Sequence, residues 1–194
     1  MHHAQSDQDE VSIGDRIRVL RLERNLSQRK LAAASGISAN ALSLIERGKT
    51  SPTASTMQKL AVALGVKISD FFESPGEGLD DIVLVRAGER RQAEMAQGLV
   101  ENLGRGGAKT GDMVPLIITL DPGARSGAPL SYSGQLFIYC LSGSLLNVID
   151  GQSITLRTGD SLLFDAARPH HWHNVAEQPS RALFVLYHVE EGAD

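Results

Sequence analysis

The sequence holds a single cysteine, Cys140, in 194 residues. One thiol can neither close an internal disulfide nor supply a multi-cysteine zinc site, and this scarcity fits a reducing cytoplasm. No uninterrupted apolar run approaches the ~20 residues that a membrane-spanning helix needs. The opening MHHAQSDQDE lacks the basic flank and the apolar stretch of a secretory signal. Its acidic, polar content is that of a flexible tail over 1–11, so His2 and His3 are read as solvated. There is no tandem repeat and no low-complexity tract. The expectation is a soluble, cytoplasmic chain of one large or two small domains, with no membrane partner.

An excess of positive charge is also missing, since the formal net charge is -4. Spread evenly, that would argue against nucleic acid. It is not spread evenly: from Ser12 to Lys67 ten Lys and Arg stand against three Asp and Glu, and from Ile68 onward nine stand against seventeen. A basic front on an acidic rear suggests a phosphate-facing module joined to something else.

The texture divides at the same place. The first seventy residues show apolar positions recurring at three and four, the period of short helices: Ile13, Ile17 and Leu20; Leu31 and Ala32; Leu42 and Ile45; Met57, Leu60, Ala61 and Leu64. Ser27, Ser38 and Thr53 precede these patterns as N-cap candidates, and Gly36, Gly48 and Gly65 stand where helices should stop. SPGEGLD, 74–80, has the Pro, Gly and acid content of a linker. Beyond it come short apolar or alternating runs: DIVLV, VPLIITL, LFIYCLSG, LLNVI, SITLR, SLLF and RALFVLYHV. Runs every eight to twelve residues, cut by Gly, Asp and Pro, predict antiparallel strands closing into a small barrel or sandwich.

The stretch QRKLAAASGISANALSLIERG, 28–48, with its flanks RLERNLSQ and GKTSPTASTMQKLAVALG, resembles the helix-turn-helix unit of XRE-type regulators over roughly 12–73. Ala32 suits a close helix crossing and Gly36 a turn of positive φ. The resemblance implies a lambda-repressor-like all-α domain whose second helix of the unit, Ser38 to Arg47, enters the major groove of double-stranded DNA. Asn40 is then the best base reader, because its amide can pair bidentately with adenine, and Ala39, Ser43 and Leu44 are its neighbours at the base edges. Ser38 opens that helix. Gln28, with Ser27, is expected to offer a backbone amide and side chain to a phosphate, and Arg47, Lys49 and Thr50 to do the same beyond the reading helix. Arg21 and Glu46 are placed by the resemblance as an internal ion pair. Two such units across half-sites about 34 Å apart imply a homodimer.

The segments 122–145 and 151–174 resemble the two signature motifs of the cupin barrel, a double-stranded β-helix, and define a second domain over 81–194. The family's metal sites take two histidines and a glutamate from the first motif and one histidine from the second. Gly159, Pro169, His170 and Asn174 match the second. In the first, Ser131 and Ser133 stand where the histidines should, and Gln135 or Leu136 where the glutamate should. On a strand, alternate residues face opposite sides, so His170, Trp172 and Asn174 share one face while His171 and His173 take the other. RPHHWHN therefore cannot chelate one ion as a block, and no metal or other cofactor is expected. What remains is a cavity bordered by Ser131, Ser133, His170 and Trp172, suited to a small polar effector, with Gln135, Tyr139 and Arg125 as weaker candidates. The buried-hydrophobe reading of Cys140 is preferred to a reactive thiol. The function expected is a non-enzymatic transcriptional regulator whose barrel senses a small molecule. The competing reading is a metal-dependent cupin oxygenase or epoxidase carrying a helix-turn-helix module, disfavoured by the missing ligands.

Overall fold

A computed structural model describes residues 12–72, 82–104 and 113–187. The expected tail (1–11), the expected linker (74–80) and His188 lie outside the described residues. The helical part comprises α1 (Ile13–Glu23), α2 (Gln28–Ser35), α3 (Ala39–Glu46) and α4 (Ala54–Leu64), followed by a 3-10 turn, Ile68–Phe72. Each α-helix starts where a hydroxyl can replace a missing backbone partner. Ser12, Ser27, Ser38 and Thr53 are N-caps, and their side chains accept from the N–H of Asp15, Lys30, Ala41 and Thr56. Such a cap contributes about 1 kcal/mol. Gly36 and Gly65 end α2 and α4 in the left-handed conformation, with φ of 65° and 63°.

All four apolar stripes read from the sequence are buried, and Phe71 is added to them from the 3-10 turn. Gly14 is a further requirement. A Cβ at this position would run into the carbonyl group of Ile45, so α1 crosses the end of α3 at backbone contact. Arg21 on α1 and Glu46 on α3 are both buried and form a two-pronged ion pair, Nε to Oε1 at 2.6 Å and Nη2 to Oε2 at 2.8 Å.

The second part is a barrel of nine strands among the described residues: β1 (Arg91–Met95), β2 (Gly98–Asn102), β3 (Met113–Leu120), β4 (Gln135–Ser142), β5 (Ser144–Ile149), β6 (Gln152–Arg157), β7 (Ser161–Asp165), β8 (His170–Asn174) and β9 (Ser180–Tyr187). They form a six-stranded sheet, β1-β2-β3-β9-β4-β7, facing a three-stranded one, β6-β5-β8. Each recorded strand pair is antiparallel. Inward positions alternate strictly: Leu136, Ile138 and Cys140 on β4, and Ala182, Phe184 and Leu186 on β9, are buried.

Two expectations about strands need correction. DIVLV forms none over its described residues 82–85, and Ile82 and Leu84 are exposed there. Conversely, β1 and β2 were not foreseen. RQAEM is poor in β-branched and aromatic residues, so only its pairing with β2, Ala93 opposite Val100, makes it a strand.

The helical unit and the barrel pack against each other. Met57, Phe71 and Phe72 belong to the same continuous apolar cluster as Met95, Val100 and Leu116. Among the described residues two long backbone hydrogen bonds cross the junction, from Ser55 N–H to the Ser126 carbonyl and from Ala96 N–H to the Pro52 carbonyl, each at 3.4 Å.

Candidate functional site

The N-terminal turn of α3 is presented to solvent. Ser38, Ala39 and Asn40 are exposed, Ser43 and Leu44 are half-buried, and Arg47, Lys49 and Thr50 are exposed past the other end. Among the described residues no hydrogen bond engages the amide of Asn40 or the ammonium of Lys49. Ser38 has a structural task as the N-cap of α3, accepting from Ala41 N–H at 3.1 Å. Arg47 uses its Nε to donate to the Ser43 carbonyl at 3.0 Å. That bond turns the guanidinium back along the helix.

Gln28 differs from the expectation. Its Nε2 donates to Glu46 Oε2 at 2.7 Å, so the side chain is drawn into the internal ion pair. The backbone amide at the start of α2 remains the part suited to a phosphate. Burial alone pushes the Glu46 carboxyl up, but hydrogen bonds from Arg21 and Gln28 and the charges of Arg21 and Arg18 hold it below the usual carboxylate range. The Glu46 hydrogen bond in turn raises Arg21, against its own burial.

In the barrel, β8 presents its two faces as alternation requires. His170, Trp172 and Asn174 are buried, and His171 and His173 are half-buried on the other side. Asn174 is a fastener: its Nδ2 donates to the carbonyls of Leu120, Asp121 and Gln178 at 3.0, 2.9 and 3.1 Å, and its Oδ1 accepts from Ala176 N–H and the Ser180 hydroxyl. His170 Nδ1 donates to the Arg168 carbonyl at 2.8 Å. Burial is the largest influence on this imidazole and lowers its pKa; the Arg168 carbonyl opposes that and His171 adds to it. The ring is therefore neutral at pH 7 with its proton on Nδ1. Nε2 is left as a buried acceptor with no hydrogen-bond partner among the described residues.

The serine positions expected beside it are not there. Ser131 and Ser133 are exposed, and Tyr132 between them turns inward, its ring edge-on to His170 with centroids 5.6 Å apart. The pairing of Leu130 with His170 fixes this phase, with reciprocal backbone bonds of 2.7 and 2.9 Å. Leu130 and Tyr132 then share the inner face. The ambiguity in the following turn resolves the same way: Leu136 is inward, while Gln135, Tyr139 and Arg125 are exposed. Phe164 completes the aromatic surround of His170, 5.0 Å away.

These side chains border a cavity of about 60 Å³. Tyr132, Leu136, His170, Trp172 and Phe184 line it from the barrel, and Ala54, Met57, Ile68 and Phe72 close it from the helical unit. The expected serine-bordered polar cavity is instead mostly apolar, with Tyr132, His170 and Trp172 as the lining residues that carry a polar side-chain atom. Among the described residues no three His, Cys, Asp or Glu side chains gather as a metal site. Cys140 is fully buried with its thiol 3.7 Å from the carbonyls of Ser142 and Gly143, and burial together with Asp160 raises its pKa. The helical wall was missed from the sequence because Ala54, Met57 and Phe72 satisfy a helical core pattern equally well. Tyr132 was missed because only the Leu130–His170 pairing sets its phase.

A capped, exposed helix on a basic helical unit, packed over the mouth of a β barrel, defines a DNA-binding regulator with an attached barrel domain. Residues 17–71 match the family model described as Helix-turn-helix, and residues 116–186 match the Cupin domain. The HTH-type transcriptional regulator PuuR of Escherichia coli K12 is 29% identical over 163 residues, which cover 84% of this chain and 88% of that protein. A solved HTH_3 family transcriptional regulator from Vibrio cholerae superposes with a TM-score of 0.63 at 24% identity, covering 92% of this chain and 97% of its own. Hydroxypropylphosphonic acid epoxidase from S. wedmorenis superposes at 0.50 with 18% identity, covering 94% and 100%, a likeness of fold alone. The chain thus joins a helix-turn-helix domain to a cupin domain, the domain pair of a DNA-binding transcriptional regulator.

Proposed function

We propose that this regulator reads its operator as a homodimer through α3, in the cytoplasm, and that its barrel senses a small-molecule effector without a metal and without catalysis. The observation that carries the DNA half is Asn40, exposed in the first turn of a capped helix with its amide unengaged, between the start of α2 and the cations Arg47 and Lys49. In this reading Asn40 pairs with a base edge, Ala39, Ser43 and Leu44 border it, and Ser38, the Gln28 backbone, Arg47, Lys49 and Thr50 hold phosphates. Asn40→Ala is expected to relax preference at one base pair by about 1–3 kcal/mol. Lys49→Ala is expected to weaken all duplexes alike and to lower the salt slope by about one unit. Isotherms of both variants at two salt concentrations test this; indistinguishable behaviour rejects the roles.

The outer face of the six-stranded sheet suits a second copy of the chain. Phe137 lies opposite both Leu163 and Val185, and Tyr139 lies opposite Leu183, so these side chains form one apolar surface across β7, β4 and β9. Leu163 is 61% exposed there. A two-fold operator needs two reading helices, and pairing through this face would supply them while covering the apolar surface.

The epoxidase fold likeness keeps catalysis as the second reading. Iron chemistry of that kind needs two histidines and a carboxylate with open positions, and among the described residues His170 is the one such group on this cavity. A stoichiometric transition metal in the purified protein, lost in His170→Ala, would reverse the choice.

A further inference from the structure

The cavity has three properties that together restrict what enters it and what must move. Its lining is mostly apolar, with polar atoms only on Tyr132, His170 and Trp172 among the lining residues. Among the described residues the buried His170 Nε2 has no hydrogen-bond partner, while Nδ1 is committed to a backbone carbonyl. It measures about 60 Å³, whereas an apolar cavity of about 150 Å³ is what holds a benzene ring. Its walls are also unequal. On the barrel side Leu136 and Phe184 belong to strands in regular register with each other from Gln135 to Cys140. On the other side Ala54, Met57 and Phe72 belong to the helical unit; among the described residues two backbone hydrogen bonds join it to the barrel, each at 3.4 Å, and the Arg91 guanidinium reaches the Phe72 carbonyl at 3.4 Å. Bonds of that length are near the limit of useful geometry.

We propose that the effector is a small, mostly apolar molecule carrying one hydrogen-bond donor for His170 Nε2, and that it makes room for itself by wedging the helical unit away from the barrel mouth. This rests on the proposed sensing role of the barrel and specifies its ligand and its stroke. The donor follows from the orphaned acceptor: a ligand without one leaves Nε2 buried and unpaired. The wedge follows from the volumes, because a ring-sized body cannot fit unless a wall yields, and the wall that meets the barrel through side-chain packing and long hydrogen bonds, not through a strand ladder, is the one that carries the DNA-reading helix. Leu60, Ala61 and Leu64 lock α4 into the core of the helical unit. Pressure on Met57 therefore shifts the unit as a body.

Phenol and toluene are matched probes, alike in ring and differing in the donor. In the full-length chain phenol is expected to bind several-fold more tightly than toluene, and to shift the ¹⁵N resonance of His170 Nε2. The preference should vanish in His170→Phe. Spin labels at Lys59→Cys and Thr155→Cys, both exposed positions on either side of the junction, should move apart by a few ångströms as phenol saturates. Met57→Ala enlarges the cavity from the helical side, so phenol should bind it at least as tightly without the separation. Equal binding of the two probes, binding of neither up to their solubility, or saturation by phenol with an unchanged label distance would each overturn the proposal. Salt-dependent DNA binding of the ligand-free chain is measured alongside. Its absence would sink the regulator reading, whereas intact DNA binding with an unmoved label distance sinks the wedge alone.

Discussion

Glu46→Gln is the most demanding test of how the reading helix is held. The wild-type carboxylate is 3% exposed and receives three donors: Arg21 Nε at 2.6 Å, Arg21 Nη2 at 2.8 Å and Gln28 Nε2 at 2.7 Å. The remaining Arg21 nitrogen, Nη1, donates to the Leu26 carbonyl at 2.8 Å, so one guanidinium joins α1, α3 and the turn before α2. Glutamine keeps the shape but replaces one acceptor oxygen by an NH₂ that faces other donors, and leaves the Arg21 charge buried without its counter-charge. Breaking a buried pair from one side costs about 3–5 kcal/mol, a large part of the roughly 5–15 kcal/mol that holds a domain together. Replacing both partners by apolar residues, Arg21→Met with Glu46→Met, removes the stranded charge and should cost far less. Urea unfolding followed at 222 nm, where the helices dominate, measures both. A pH series adds the sign: the folded Glu46 carboxyl is depressed, so its stabilisation is present above the unfolded value of about 4.3 and fades as pH falls through the lower folded value. Glu46→Gln should lack that component. A loss below about 1 kcal/mol for the single variant, or a double variant as damaged as the single, would refute the reasoning.

Two further outcomes follow from packing. Gly14→Ala places a methyl group against the Ile45 carbonyl, and overpacking of that kind costs about 1–3 kcal/mol or more. Its thermal midpoint should fall while Gly36→Ala, whose Cβ meets open space, suffers only the strain of its positive φ. Leu163→Glu puts a charge on the outer apolar sheet face, on the edge strand β7; if the proposed dimer forms through that face, light scattering should show the parent as a dimer and the variant as a monomer, and an unchanged mass would remove that face as the interface.

The helical half was legible because its signals are local. Caps, apolar stripes and the glycine of the turn lie within a few residues of one another, and each of Ser27, Ser38, Thr53 and Gly36 stands as the periodicity required. The strands from β3 onward were legible for the same reason. The barrel site was legible only in part. Alternation along β8 correctly placed His170, Trp172 and Asn174 together, but the first motif crosses a non-repeating turn, where a shift of one residue exchanges the faces. Gly134, at φ 123°, sits in that turn. Tyr132 therefore occupies the place assigned to the serines, and a polar vessel became a mostly apolar one. Gln28 misled differently: a side chain suited to a phosphate suits a buried carboxylate equally well, and only the 2.7 Å approach to Glu46 decides between them.

On the proposed reading, the location of the cavity matters more than its chemistry. A pocket sealed wholly inside the barrel would need a relay of side chains to reach α3, and each link would dilute the free energy passed on. Here Met57 belongs at once to the cavity wall and to the helical core that positions α3. The ligand's preference for the opened state is then the coupling free energy itself, and about 1–3 kcal/mol would change operator occupancy by roughly 5- to 150-fold. The proposed dimer face lies on the outer side of β4, β7 and β9. It can hold the two barrels fixed while the helical units move, so a displacement at each junction alters the separation of the two reading helices against an operator of fixed spacing.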